Sequence, residues 1–133
     1  MSKLAEIEQL FKALADSNRL RIMAVLQWGE LCVCQLMGIL GLSQSTVSKH
    51  LAILKEAGLL TEQQRGKRTF YAVQKEFASP FVDAVVRAVL DGLKDEPELA
   101  DDRRLAEFMR EFRIETMEAA LNVRKKRNML RVP

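Results

Sequence analysis

The 133-residue chain has only two cysteines, one histidine, one tryptophan, one tyrosine and three prolines. Cys32 and Cys34 are one residue apart, too close to staple a fold, and a reducing compartment keeps both as thiols. One histidine leaves little material for a neutral-pH acid or base. There is no Cys-x-x-Cys, no strand–helix–strand alternation and no glycine-rich phosphate loop, so the reading is against an enzyme. No stretch approaches the roughly 20 apolar residues that span a bilayer. The opening Met-Ser-Lys-Leu-Ala-Glu lacks the apolar block of a secretory signal, so a cytoplasmic location without membrane contact is expected. Internal repeats and low-complexity tracts are absent.

What is present is ordinary globular composition, 48% hydrophobic and 29% charged, in a length typical of one domain. The net charge of +3 is modest, but its distribution is uneven. Between Ser43 and Lys75 six basic residues face two acidic ones, and the rest of the chain is near balance. A local excess of this kind is the electrostatic footprint expected of a nucleic-acid-binding surface.

Leu4, Ile7, Phe11 and Leu14 recur at helical spacing and predict a helix over about 3–15 with that stripe inward. Asp16 stands as an N-cap before an apolar run closed by Gly29, predicting a second helix over about 17–27 that is buried on several sides. A short apolar segment from Leu31 to Leu40 ends at Gly41, and Ser43 opens an amphipathic run through Val47, Leu51 and Leu54 to Gly58. Arg65-Gly66-Lys67-Arg68 then separates two β-prone stretches, which predicts a hairpin. From Phe77 to Leu93 helical periodicity returns with an apolar surface too wide for one chain, best covered by a second copy. Asp95-Glu96-Pro97-Glu98 breaks the pattern, giving a domain over 1–96 and a helical extension over 97–133 that ends in the basic run Arg124-Lys125-Lys126-Arg127.

The order is helix, helix, short helix, tight turn, helix, basic hairpin, helix. It predicts a mainly α winged helix-turn-helix of five helices plus wing, with a C-terminal helical tail. The second helix of such a motif offers its exposed face to the major groove. Gln44, Ser45, Ser48 and Lys49 gather in the first two turns after Ser43, where base edges come within reach, and Thr46 and His50 lie nearby as phosphate contacts. Arg65, Lys67 and Arg68 at the hairpin tip would supply salt-dependent attraction to the backbone of double-stranded DNA.

Leu42-Ser43-Gln44-Ser45-Thr46-Val47-Ser48-Lys49-His50-Leu51, followed by Leu54-Lys55-Glu56-Ala57-Gly58-Leu59, resembles the reading helix of the ArsR/SmtB family of metal-responsive repressors. Ala13-Leu14-Ala15-Asp16 with Arg19-Leu20-Arg21-Ile22 is similar to the start of that family's second helix, although Ser17 stands where many relatives have proline. The resemblance covers roughly residues 5–93. It implies a homodimer built from the first and last core helices, bound to an imperfect palindromic operator and released by an inducer.

Glu30-Leu31-Cys32-Val33-Cys34-Gln35-Leu36 resembles the metalloid-binding signature of the family's arsenical repressors, with Met37 where several of them place a third cysteine. Independently of that resemblance, paired thiolates favour soft, thiophilic ions such as trivalent arsenic or antimony over magnesium or calcium. No resident cofactor is expected; arsenite or antimonite would act as the inducer. On a regular helix, residues two apart point about 200° from each other, so both cysteines on one helix would have to unwind it to grip one ion. A redox or reactive-sulfur switch using the same cysteines is the main alternative, and a pure protein-interaction module is another.

Overall fold

A computed structural model describes residues 2–111; the basic run 124–127 and the apolar positions from Phe112 onward lie outside the described residues. The elements are α1 (Lys3–Leu14), α2 (Ser17–Leu26), β1 (Leu31–Cys32), α3 (Val33–Leu40), α4 (Gln44–Glu56), β2 (Leu60–Arg65), β3 (Arg68–Val73) and α5 (Pro80–Leu93). A 3₁₀ turn (Pro97–Leu99) then leads to α6 (Ala100–Glu111). The strands form one antiparallel sheet in the order β1-β3-β2. Among the described residues no helix is long and apolar enough to cross a membrane.

Helix starts follow local chemistry. The Asp16 carboxylate accepts the backbone N–H groups of Asn18 at 2.8 Å and Arg19 at 3.1 Å, satisfying donors that the first turn of α2 leaves without an intrahelical partner. Ser43 opens α4 in the same way, its hydroxyl accepting the Thr46 N–H at 3.3 Å. Ser79 caps α5, and Pro80 at its first position explains why that helix begins there rather than at Phe77. The expected C-cap at Gly29 is displaced: Gln27 ends α2, and Gly29 lies two residues beyond. Gly41 closes α3 at φ 69, the left-handed conformation that makes the corner into α4 tight.

The core lies where α2, α3 and α4 meet. Ile22 through Leu26 are five consecutive buried residues, in agreement with the all-round burial expected of α2. Leu36 of α3 packs in the same cluster as Val47, Leu51 and Leu54, the inward face of α4, all fully buried. The stripe expected on α1 divides. Leu10, Ala13 and Leu14 are buried, whereas Leu4 and Phe11 are 79% and 51% exposed. Within α5 only Val86 is buried, while Val82, Val85, Val89 and Leu90 are partly covered and Phe81 stays exposed. Thus the first and last helices of the winged core both leave apolar side chains exposed, as are Trp28 before β1, Ile53 on α4 and Leu105 and Phe108 on α6.

A second departure concerns the cysteine segment. Leu31 pairs with Tyr71 and Cys32 with Phe70, so the start of the expected helical stretch is instead a two-residue strand on the edge of β3. The described part of the C-terminal extension is also closely packed, with α6 lying against α2 and α3 and burying Asp102 and Ala106.

The cap at Asp16 has a measurable signature. The Arg19 N–H, aided by the Arg19 guanidinium and the Asn18 N–H and opposed by burial, holds the carboxyl below the usual carboxylate range. A folded-state pKa below the unfolded one contributes stability that is complete above the ordinary carboxylate pKa and disappears as pH falls through the lowered value. Asp16→Ala should therefore cost about 1 kcal/mol in a urea melt at pH 7. The gap from the parent should shrink steadily as the pH is lowered through the acid range, and a pH-independent gap would mean the carboxylate is not the cap.

Candidate nucleic-acid interface and thiol site

On α4 the predicted reading residues divide by exposure. Gln44, Ser45, Ser48 and Lys49 are exposed on the outer face of the first turns, while Val47 and Leu51 point into the core. Ser43 organises the start of the helix beyond capping, its Oγ lying 2.9 Å from Thr46 Oγ1 and 3.3 Å from Ser45 Oγ. Half-buried Thr46 is therefore drawn toward the cap.

His50 is also half-buried, and its Nδ1 lies 3.2 Å from the Arg19 guanidinium. Arginine can only donate, so Nδ1 accepts and the ring proton sits on Nε2 in the neutral form. Arg19 also donates to the carbonyls of Ala13 at 2.7 Å and Lys12 at 3.1 Å, closing the end of α1 and fixing it relative to α4. Sequence reasoning assigned Arg19 no role beyond its place in a motif.

The wing is a tight hairpin in which Arg65 faces Arg68 across the Gly66-Lys67 turn. Gly66 alone has positive φ, at the first central position where a II′ turn requires glycine. Lys67 projects from the tip and is exposed. Arg65 is held from two sides: its guanidinium carbon lies 4.0 Å above the Phe70 ring, and it pairs with Glu30. Arg68 sits at the first position of β3, half-buried. At the wing's root, Lys55 of α4 pairs with Glu62 of β2; that contact, then the Tyr71 hydroxyl, holds the Glu62 carboxyl below its usual range. Burial, with Glu62 second, pushes the Tyr71 phenol up, so this hydroxyl stays a neutral donor. The wing is thereby anchored to the reading helix at one end and to the segment before Cys32 at the other.

Cys32 and Cys34 are both in the thiol form, outside any disulfide, and they sit in different structures. Cys32 has extended backbone (φ −91, ψ 168) as the N-cap of α3 and is 2% exposed; Cys34 is in the first turn of α3 and partly exposed. The expectation that one regular helix carries both is thus corrected: strand pairing to Phe70 holds Cys32 outside the helix. Cys32 and Gln35 form a reciprocal capping box. The Gln35 N–H points to the Cys32 sulfur, and Gln35 Oε1 accepts the Cys32 N–H at 2.9 Å. The sequence signal was present as a cap-x-x-Gln pattern, hidden because cysteine rather than serine supplies the cap. Among the described residues no group of three or more His, Cys, Asp and Glu side chains comes together as a ready ion site.

Comparison with known proteins agrees with this geometry. The family described as "Bacterial regulatory protein, arsR family" matches residues 16–62, from the α2 cap to the start of the wing. The arsenic resistance transcriptional regulator ArsR1 of Pseudomonas putida is 41% identical over 100 residues, covering 74% of this chain and 77% of that protein. The arsenical resistance operon repressor of Escherichia coli is 44% identical over 84 residues, covering 62% of this chain and 68% of that protein. Among solved structures, the homodimeric winged helix-turn-helix DNA-binding domain of Mb0332 from Mycobacterium bovis superposes with a TM-score of 0.57 at 26% identity, covering 73% of this chain and 91% of that fragment.

The division of labour on this surface predicts two kinds of loss. Gln44→Ala should lower affinity for the operator by about 1–3 kcal/mol while leaving binding to unrelated DNA nearly unchanged, and Lys49→Ala should add to a similar operator loss a smaller one on all DNA. Lys67→Ala should weaken all sequences alike and reduce the slope of log affinity against log salt by about one. Fluorescence anisotropy on specific and scrambled duplexes across a salt series separates the two. Sequence-selective loss on removing Lys67 would contradict its assignment to the backbone.

Proposed function

The chain belongs to the arsR family of bacterial regulatory proteins, DNA-binding transcriptional regulators with a winged helix fold, and we propose that it is a homodimeric repressor released from its operator when Cys32 and Cys34 capture trivalent arsenic or antimony. The observation that carries this reading is the position of the thiols. They stand where the sheet's edge strand becomes the helix that precedes the reading helix, so a change there is connected to both DNA-contacting elements.

The open apolar faces of α1 and α5, led by Leu4, Phe11 and Phe81, are the surfaces a second copy would cover. The solved fragment of the relative from Mycobacterium bovis is itself homodimeric, which supports the pairing of two copies. Two copies place two reading helices side by side, and an imperfect palindrome with half-sites about one helical turn apart is the matching target. Small changes in spacing or tilt between the copies then cost contacts on both half-sites at once.

Two thiolates are a soft donor set, suited to a thiophilic ion with its remaining bond from hydroxide or a small cellular thiol. Recruiting the buried Cys32 sulfur to an ion would draw Cys32 from the capping position it holds here. Two routes lead outward from that movement. Along the sheet, Cys32 faces Phe70, whose ring carries Arg65 of the wing. Along the helix, α3 runs to the Gly41 corner and into α4. The inducer shifts the equilibrium only by its differential affinity for the two arrangements, and the displaced cap is what distinguishes them.

The test is release from DNA by the fully reduced protein. Arsenite or antimonite should dissociate the complex, whereas a switch that works by cysteine oxidation would require an oxidant. Cys32→Ser and Cys34→Ser should keep operator affinity within about several-fold, since serine is a strong N-cap and preserves the start of α3, but should no longer release. Normal release from both variants would refute the assignment.

A further inference from the structure

Helix α6 grips the segment that carries the cysteines from both sides. Arg110 donates through Nη2 to the carbonyls of Val25, in the last turn of α2, and Gly29, in the turn that leads into β1, each at 2.7 Å. Gly29 leaves the room this needs, because a Cβ there would sit 3.2 Å from Arg110 Nε. Beyond β1, the buried Gln35 uses both ends of its amide. Oε1 accepts the Cys32 N–H, and Nε2 donates to the Met109 carbonyl at 3.1 Å. Met109 lies so closely over α3 that a Cβ on Gly38 would come within 2.5 Å of its methyl. At its start α6 is pinned to α2 by a two-pronged pair, Arg21 Nε to Asp102 Oδ2 at 2.8 Å and Arg21 Nη2 to Asp102 Oδ1 at 3.0 Å, with the Asp102 side chain only 8% exposed.

We propose that α6 is a latch holding Cys32 in its helix-capping position through Gln35, so that docking of α6 and capture of a thiophilic ion by Cys32 and Cys34 oppose each other. The proposal rests on the thiol-inducer reading above and adds a positioning residue, Gln35, and an element outside the winged core that sets inducer affinity. One buried amide serves both partners. If Cys32 moves, Oε1 loses its donor in a dry site, and the amide cannot turn to find another without surrendering the Met109 carbonyl. With α6 docked, the ion-free arrangement therefore gives both ends of the Gln35 amide a partner, and the ion-bound one does not. With α6 loosened, that penalty falls and the thiols are easier to recruit. By linkage, an ion on the thiols loosens α6 by the same factor.

Asp102→Asn weakens the latch at its far end without touching Gln35 or either cysteine. Trp28, the chain's one tryptophan, is half-exposed in the turn before β1 and reports arsenite binding to the full-length, reduced, DNA-free protein by its fluorescence. Asp102→Asn should tighten arsenite binding by about 3–10-fold, the range expected for one buried hydrogen-bonded link. In a Gln35→Leu background the same substitution should have an effect below about 1.5-fold, because the link is already cut. On the unmutated protein, saturating arsenite should speed hydrogen exchange of the α6 amides by about threefold or more, a readout that needs no variant to fold. If arsenite binds the parent protein but Asp102→Asn leaves its affinity unchanged, or shifts it equally in both backgrounds, or α6 exchange is unaltered, the latch is overturned while the thiol-inducer reading stands. Failure of arsenite to bind the parent protein overturns both.

Discussion

An α-helix cannot satisfy its own first N–H groups, and α3 must begin at the point where the chain leaves the edge of a sheet. Cys32 meets both demands. Its backbone is extended enough to pair with Phe70 and lies at the boundary from which α3 starts, with Gln35 completing the cap. The direction of α3 depends on this junction, and through the left-handed turn at Gly41 so does the placement of α4. The sheet depends on it too, since β1 joins the wing's inner strand to the helical core. A buried thiol at that junction is therefore a structural member, not a pendant ligand.

The cations of the candidate DNA surface are largely engaged before any DNA arrives. Arg65 rests on Phe70 and pairs with Glu30, Lys55 pairs with Glu62, and Arg19 is spent on the end of α1 and on His50. The exposed Arg65–Glu30 and Lys55–Glu62 pairs contribute little to stability individually. Their effect is geometric: they orient the wing and restrict side chains that would otherwise lose rotamer entropy on binding. Lys49 and Lys67 remain as exposed charges, one on the reading helix and one at the wing tip. The Arg65–Glu30 pair also ties the wing to the residue two before Cys32, so wing orientation and the state of the cysteine segment are not independent.

Much of this architecture was legible in the sequence because it rests on local chemistry. Asp16 and Ser43 announce helix starts through their side-chain oxygens, Gly41 and Gly66 mark turns that need positive φ, and the period of Val47, Leu51 and Leu54 defines the buried face of α4. What escaped depends on distant partners. Two residues are too few to show strand periodicity, so β1 was absorbed into a helix until β3 was available to pair with it. A stripe such as Leu4–Ile7–Phe11–Leu14 reveals that a face is apolar but not which copy of the chain buries it. Contacts like Arg21 with Asp102, 81 residues apart, leave no local trace at all.

The energetics place the difficulty of switching in transmission rather than in binding. In the proposed switch, capping and a single buried amide link are each worth about 1 kcal/mol, small beside the two metal–sulfur bonds an inducer would form. Supplying enough energy to displace Cys32 is therefore not the constraint. Only the part of that energy that distinguishes the DNA-competent arrangement from the other can move the equilibrium, and a mobile cysteine segment would dissipate it. The structure limits such dissipation by packing. Leu31 and Leu36, on either side of the thiols, are fully buried in the same cluster as Val47 and Leu51. A close-packed interior does not deform continuously, so a shift at Cys32 must be accommodated by moving whole elements, β1 with the wing and α3 with α4. On the proposed reading, a ligand held by two side chains in one short segment would in this way act on the widely separated surfaces assigned to DNA.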